Sequence, residues 1–129
     1  MINFEKTGEL KIFGLHPEFD VSALNPEGEG SIKDDYYRMI NGGKLDVSFS
    51  FSMTQSQYMT AISKVDNLLR GNVTYNINTN NCTTWAVNFA RDLGFSLPKN
   101  VGFGHWLLGS GLNPADLGED LIIIGGKRE

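Results

Sequence analysis

Hydrophobic and polar residues alternate most regularly over residues 45–52, where Leu45, Val47, Phe49 and Phe51 interleave with Asp46, Ser48, Ser50 and Ser52. A period of two predicts a strand with one buried and one wet face. Thr54-Gln55-Ser56-Gln57 follows with the form of a capping box and opens a helix. Tyr58, Ile62, Val65 and Leu69 line its apolar face, and Gly71 closes it. Val73, Tyr75 and Ile77 then alternate briefly, as in a short strand or extended arm. A polar run of Asn76, Asn78, Thr79, Asn80 and Asn81 comes next, and such side chains cap helices well. After it Cys82, Trp85, Ala86, Phe89 and Leu93 recur at three- and four-residue steps. Arg91 in the last turn and Gly94 just beyond mark where this second helix stops.

The flanking segments are less regular. Residues 9–15, ELKIFGL, read as a short strand with Leu10, Ile12 and Gly14 on one side, ending where His16 precedes Pro17. Residues 18–43 are rich in Pro, Gly, Asp and Asn without a sustained period. They predict a long irregular excursion with one turn of helix at residues 34–39, and loops of that length often wall a site or bind. After Pro98 the chain is glycine-rich, VGFGHWLLGSGLNP. Residues 115–120 suit a helical turn with Pro114 at its first position, and residues 121–124 a final buried strand.

At 129 residues the chain is one domain, 1–129, large enough to bury a core without metal or disulfide help. A formal charge of −4, with no run of Lys and Arg, argues against a nucleic-acid binder. No apolar run reaches membrane-spanning length. The start MINFEKTGEL lacks the form of a signal peptide. The expected location is therefore either the cytoplasm or, for a domain released from a larger secreted precursor, outside it. No cofactor or metal is implied. GFGHWL lacks the third glycine of a dinucleotide loop, Gly125-Gly126-Lys127 lacks phosphate-loop spacing, and one cysteine with two distant histidines makes no zinc site. Glu27, Glu29, Asp34 and Asp35 lack the calcium-loop pattern and read as a solvated loop.

Chemistry enters with Cys82, the only cysteine. A thiol in the first turn of a helix meets the positive end of the macrodipole, which favours the thiolate, as a nucleophile requires. The same residue lies on the apolar stripe of its helix, where a buried core thiol would also sit.

Three segments together resemble a known family. YNINTNNCTTWAVNFARDLGFSLP resembles the nucleophile helix of the circularly permuted NlpC-type, papain-like cysteine hydrolases of bacteria. KIFGLHP and DVSFSFSMTQSQY resemble the segments that precede that helix, and NPADLGEDL a loop that follows it in related secreted proteins. The resemblance implies a small α+β fold, with an antiparallel sheet packed against two helices in a papain-like core. It implies an amide or acyl bond as substrate, in peptides or peptidoglycan stem peptides, and the setting of a secreted effector or toxin module. Cys82 would be the nucleophile, with the oxyanion facing backbone N–H groups at the helix start. Members of that family carry their base histidine in a strand that opens with a Gly-His pair, upstream of the segment resembling KIFGLHP. The present chain starts too late to include that pair, so the domain is expected to lack the family's N-terminal strand.

Two histidines remain as candidates for the base that a cysteine hydrolase needs. His16 precedes Cys82, in the permuted order, although the matching family position is usually aromatic. His105 follows Cys82 by 23 residues, in the order of unpermuted relatives, on a loop whose glycines give it room to return. The third reading is that neither serves, and the domain binds without catalysis or takes its base from another chain or segment. Asn81, Asn100 and Asp20 stay open as a third member.

Overall fold

The computed structural model describes residues 1–6, 9–43 and 47–129. In chain order these form β1 (Ile2–Lys6), β2 (Glu9–Pro17), β3 (Glu27–Asp34), α1 (Tyr36–Ile40), β4 (Val47–Ser48), α2 (Gln55–Leu69), β5 (Val73–Asn76), α3 (Cys82–Asp92), β6 (Phe103–Trp106), β7 (Gly109–Leu112), α4 (Pro114–Ile123) and β8 (Lys127–Arg128). A four-stranded antiparallel sheet, ordered β1-β2-β3-β5, carries the core, and β4–β8 and β6–β7 are separate two-stranded pairs. The chain is a small α+β protein.

Alternation along β2 sorts its two faces. Phe13 and Leu15 point towards the helices, where they join Phe4, Ile32, Ala61, Val65, Tyr75, Trp85 and Phe89 in one buried cluster. Phe4 meets Phe13, Tyr58 and Phe89 at centroid distances of 6.2, 6.4 and 6.0 Å, the tilted and edge-on contacts that aromatic quadrupoles prefer. Ile12 and Gly14 are buried on the opposite face, and Leu10, expected inside, is exposed. Both faces of β2 are covered over residues 12–15, which is why a one-sided reading of that segment assigned the wrong face to the core.

The two helices around the core follow local rules. Thr54 closes the capping box in both directions: its side chain accepts from Gln57 N at 3.1 Å, and the Gln57 side chain accepts from Thr54 N at 2.9 Å. The start of α2 is thus independent of the packing behind it.

Three expectations are corrected. The excursion over residues 18–43 contains β3, a central strand paired on both sides, as well as α1. Its segment EGEGSIKD holds one core side chain, Ile32, so no apolar alternation announced it. Gly30 explains the gap: a Cβ there would lie 2.9 Å from Tyr75 Cβ and 3.1 Å from two backbone carbonyls. Gly30→Val is therefore expected to cost roughly 2 kcal/mol of stability by overpacking. A urea midpoint unchanged from the parent would show that the sheet has slack at this position.

Of the alternating segment 45–52, Leu45 and Asp46 lie outside the described residues, and only Val47–Ser48 is paired, with β8. Further on, Phe51 stacks on Phe95 with ring centroids 4.4 Å apart, and no ladder forms. Residues 121–123, read as strand, are the last turn of α4, whose cap is Asn113 and whose first residue is Pro114. Ile123 is largely exposed. The glycine-rich stretch after Pro98 is a hairpin, β6 and β7 joined by Leu107-Leu108.

Upstream of β2 the sheet has an edge strand, β1, paired in register from Ile2 with Phe13 to Lys6 with Glu9. It holds the position next to KIFGLHP and contains no histidine.

Candidate functional site

The asparagine run before Cys82 folds back on itself. Asn76 and Asn80 exchange backbone hydrogen bonds at 3.1 and 2.9 Å, and Asn76 Oδ1 accepts from the N–H groups of Asn78 and Thr79 at 2.9 and 3.2 Å. Asn80 Nδ2 donates to Thr74 O at 2.6 Å. Side-chain amides here stand in for the backbone partners that a tight loop lacks. The result brings the start of α3 back beside the end of β5.

Asn81 fixes that junction. It is 6 % exposed, and its Oδ1 accepts from Thr83 N and Thr84 N at 2.9 and 3.0 Å. Its Nδ2 donates to Ile77 O at 2.9 Å and to Leu112 O at 2.6 Å. One buried amide thus caps the helix, closes the loop and ties hairpin β6–β7 to both. The hairpin sits close against the loop: a Cβ on Gly109 would lie 2.7 Å from Trp106 Nε1 and would also collide with the Asn78 amide.

Cys82 carries a free thiol and is partly buried. Among the described residues, the polar side-chain atom against its sulfur is Thr83 Oγ1, at 4.0 Å. Tyr75, 9 % exposed, lies within electrostatic reach of Cys82. Burial pushes the Tyr75 hydroxyl above its usual range; the Cys82 thiolate adds to that and the Cys82 N–H opposes it. At the start of β1, burial lowers the Met1 amino group, while the charges of Cys82 and Asp35 pull the other way. Met1, which immediately precedes β1, is therefore within electrostatic reach of the thiol.

Neither histidine bonds the sulfur. Leu15 faces the helices, so His16 next to it points to the far side of the sheet. There its Nε2 donates to Asp35 Oδ2 at 3.0 Å, and a Cβ on Gly14 would lie 3.0 Å from the same nitrogen. Asp35 is buried, and nothing in the polar segment around it singled it out as the partner of His16. His105 is exposed on β6, its ring edge-on to Phe103 at 5.3 Å. The hairpin does return to the helix start, as its glycines suggested, through Leu112 and not through His105. Of the open third members, Asn100 and Asp20 are exposed and Asn81 is used as the cap. The N–H groups of Thr83 and Thr84 already serve Asn81.

Among the described residues, no group of three His, Cys, Asp or Glu side chains is placed to hold a metal ion. No described helix is long and apolar enough to cross a membrane. An open groove of about 550 Å³ lies at the other end of β1, against Glu5, Lys6, Glu9, Leu10 and Tyr36. The comparisons of the chain with family models, with curated proteins and with solved structures found no match.

Proposed function

We propose that this α+β domain is a thiol hydrolase of the circularly permuted NlpC, papain-like type, with Cys82 as nucleophile. Its proton acceptor would arrive at the start of β1, from a preceding segment or a partner chain. The carrying observation is a free, partly accessible thiol on the first residue of a capped helix, within electrostatic reach of Met1, which precedes an edge strand. The substrate is an amide or acyl bond, for which the resemblance favours peptidoglycan stem peptides and the setting of a secreted effector.

In this reading the Cys82 sulfur loses its proton to the supplied base and bonds to the carbonyl carbon. The carbonyl π pair moves onto oxygen, and collapse expels the amine, which takes the proton back from the base. Water then hydrolyses the thioester. Without the base the domain retains its fold and a reactive thiol but turns over slowly, and the pairing of His16 with Asp35 favours this incomplete state for the chain by itself.

Iodoacetamide at neutral pH tests the nucleophile. Cys82 in the folded protein is expected to label at least as fast as in denaturant, and labelling at the rate of a sealed core thiol would end the assignment. On peptidoglycan fragments, with the base supplied, Cys82→Ala is expected to be inactive.

A further inference from the structure

We propose that the exposed turn Asn41-Gly42, at the end of α1, is a site where the folded chain deamidates itself and gains a carboxylate, independently of the Cys82 chemistry. An asparagine side chain can close on the backbone nitrogen of the next residue when that nitrogen is unhindered, and glycine hinders it least. Asn41 is the one asparagine of the chain followed by glycine. Asn25 and Asn113 precede proline, which has no N–H to react. Asn76, Asn78, Asn80 and Asn81 precede residues with side chains and lie in the bonded loop before α3.

The fold leaves the reacting atoms accessible. Asn41 and Gly42 are both exposed where the five-residue α1 stops. Gly42 has a φ of 106°, and a Cβ built on it would meet nothing within 4 Å. Its N–H has no acceptor among the described residues, whereas the N–H groups of Asn41 and Gly43 donate to Tyr37 O and Arg38 O at 3.2 and 3.1 Å. One contact holds the side chain back: Asn41 Nδ2 donates to Tyr37 O at 2.8 Å, with the backbone at a ψ of 29°. Ring closure needs that ψ to rotate and that bond to open. Exposed bonds at the end of a one-turn helix open readily.

In the reaction the Gly42 nitrogen gives its proton to hydroxide and bonds to Asn41 Cγ. The Cγ–Nδ2 bond breaks, and the nitrogen takes a proton from water and leaves as ammonia. Water then opens the five-membered imide at either carbonyl, which leaves aspartate or isoaspartate at position 41. The new charge lies beside the last carbonyls of α1, where the helix dipole disfavours it.

The test incubates the full chain at pH 8 and 37 °C beside a synthetic peptide of residues 39–44. Digestion and mass spectrometry then read the one-dalton gain and the paired aspartate and isoaspartate peaks. Conversion at Asn41 is expected to be faster than at any other asparagine. It should run within about tenfold of the peptide's rate, because one exposed hydrogen bond has a small net worth. Asn41→Gln, which would have to close a six-membered ring, is expected to abolish the signal. A slower rate in the folded chain, or faster conversion at another asparagine, overturns the proposal.

Discussion

A glycine–histidine pair inserted directly before Met1, behind a new initiator methionine, is expected to raise turnover of an activated peptide anilide at pH 7 by about 100- to 10,000-fold, the range of general-base catalysis. β1 is held against β2 by a five-residue register, so whatever precedes Ile2 is aimed by the sheet and not left to wander. The amino group of Met1 is already within electrostatic reach of Cys82. An imidazole on the next residue would enter the same space, whereas the His16 ring is separated from α3 by the sheet. The gain should titrate near the ordinary imidazole range, about 6.5. A Gly-Gln insertion should give none of it, and neither should Gly-His on a Cys82→Ala background. Equal rates for Gly-His and Gly-Gln would show that the start of β1 does not deliver a base to the thiol.

Asn81→Ala should be the most damaging single change near the site, with a loss of about 3 kcal/mol. Roughly 1 kcal/mol comes from the cap and about 1 from each of the two carbonyls left without a donor, Ile77 O and Leu112 O. Asn81→Ser keeps an acceptor for the helix N–H groups and removes both amide donations, so its loss should fall between the parent and Asn81→Ala. Urea unfolding of the three proteins measures this directly. An Asn81→Ser variant as unstable as Asn81→Ala would mean that the cap contributes little. Because the same amide ties β7 to the helix start, Asn81→Ala should also lower the alkylation rate of Cys82 in the folded protein.

These effects rest on features of unequal legibility. The start of α2 was readable because its capping box is complete within four residues. The start of α3 was readable too, since an asparagine cap acts on the next two or three N–H groups. The alternation of residues 45–52 misled for a related reason: it describes how side chains would face in a strand, and says nothing about whether a neighbouring backbone is available to pair. Here the partner is two residues of β8, and Phe49 packs on Phe51, which stacks on Phe95. β3 was invisible for the opposite reason. Its backbone pairs on both sides, but glycines occupy the positions where core side chains would have signalled it.

Cys82 and its place at a helix start follow from the order of residues, since cap, stripe and stop all act over one or two turns. Which groups surround the sulfur does not. His16 and His105 are equally available by count, and Tyr75 looks like ordinary strand filling. The parity of β2 turns His16 towards Asp35, the outward face of β6 leaves His105 in water, and the Asn81 amide ties the asparagine loop and β7 to the helix start. Local sequence sets side-chain periodicity and helix ends through nearby hydrogen bonds. Proximity across a sheet depends on pairing partners tens of residues away, and only the folded chain selects them.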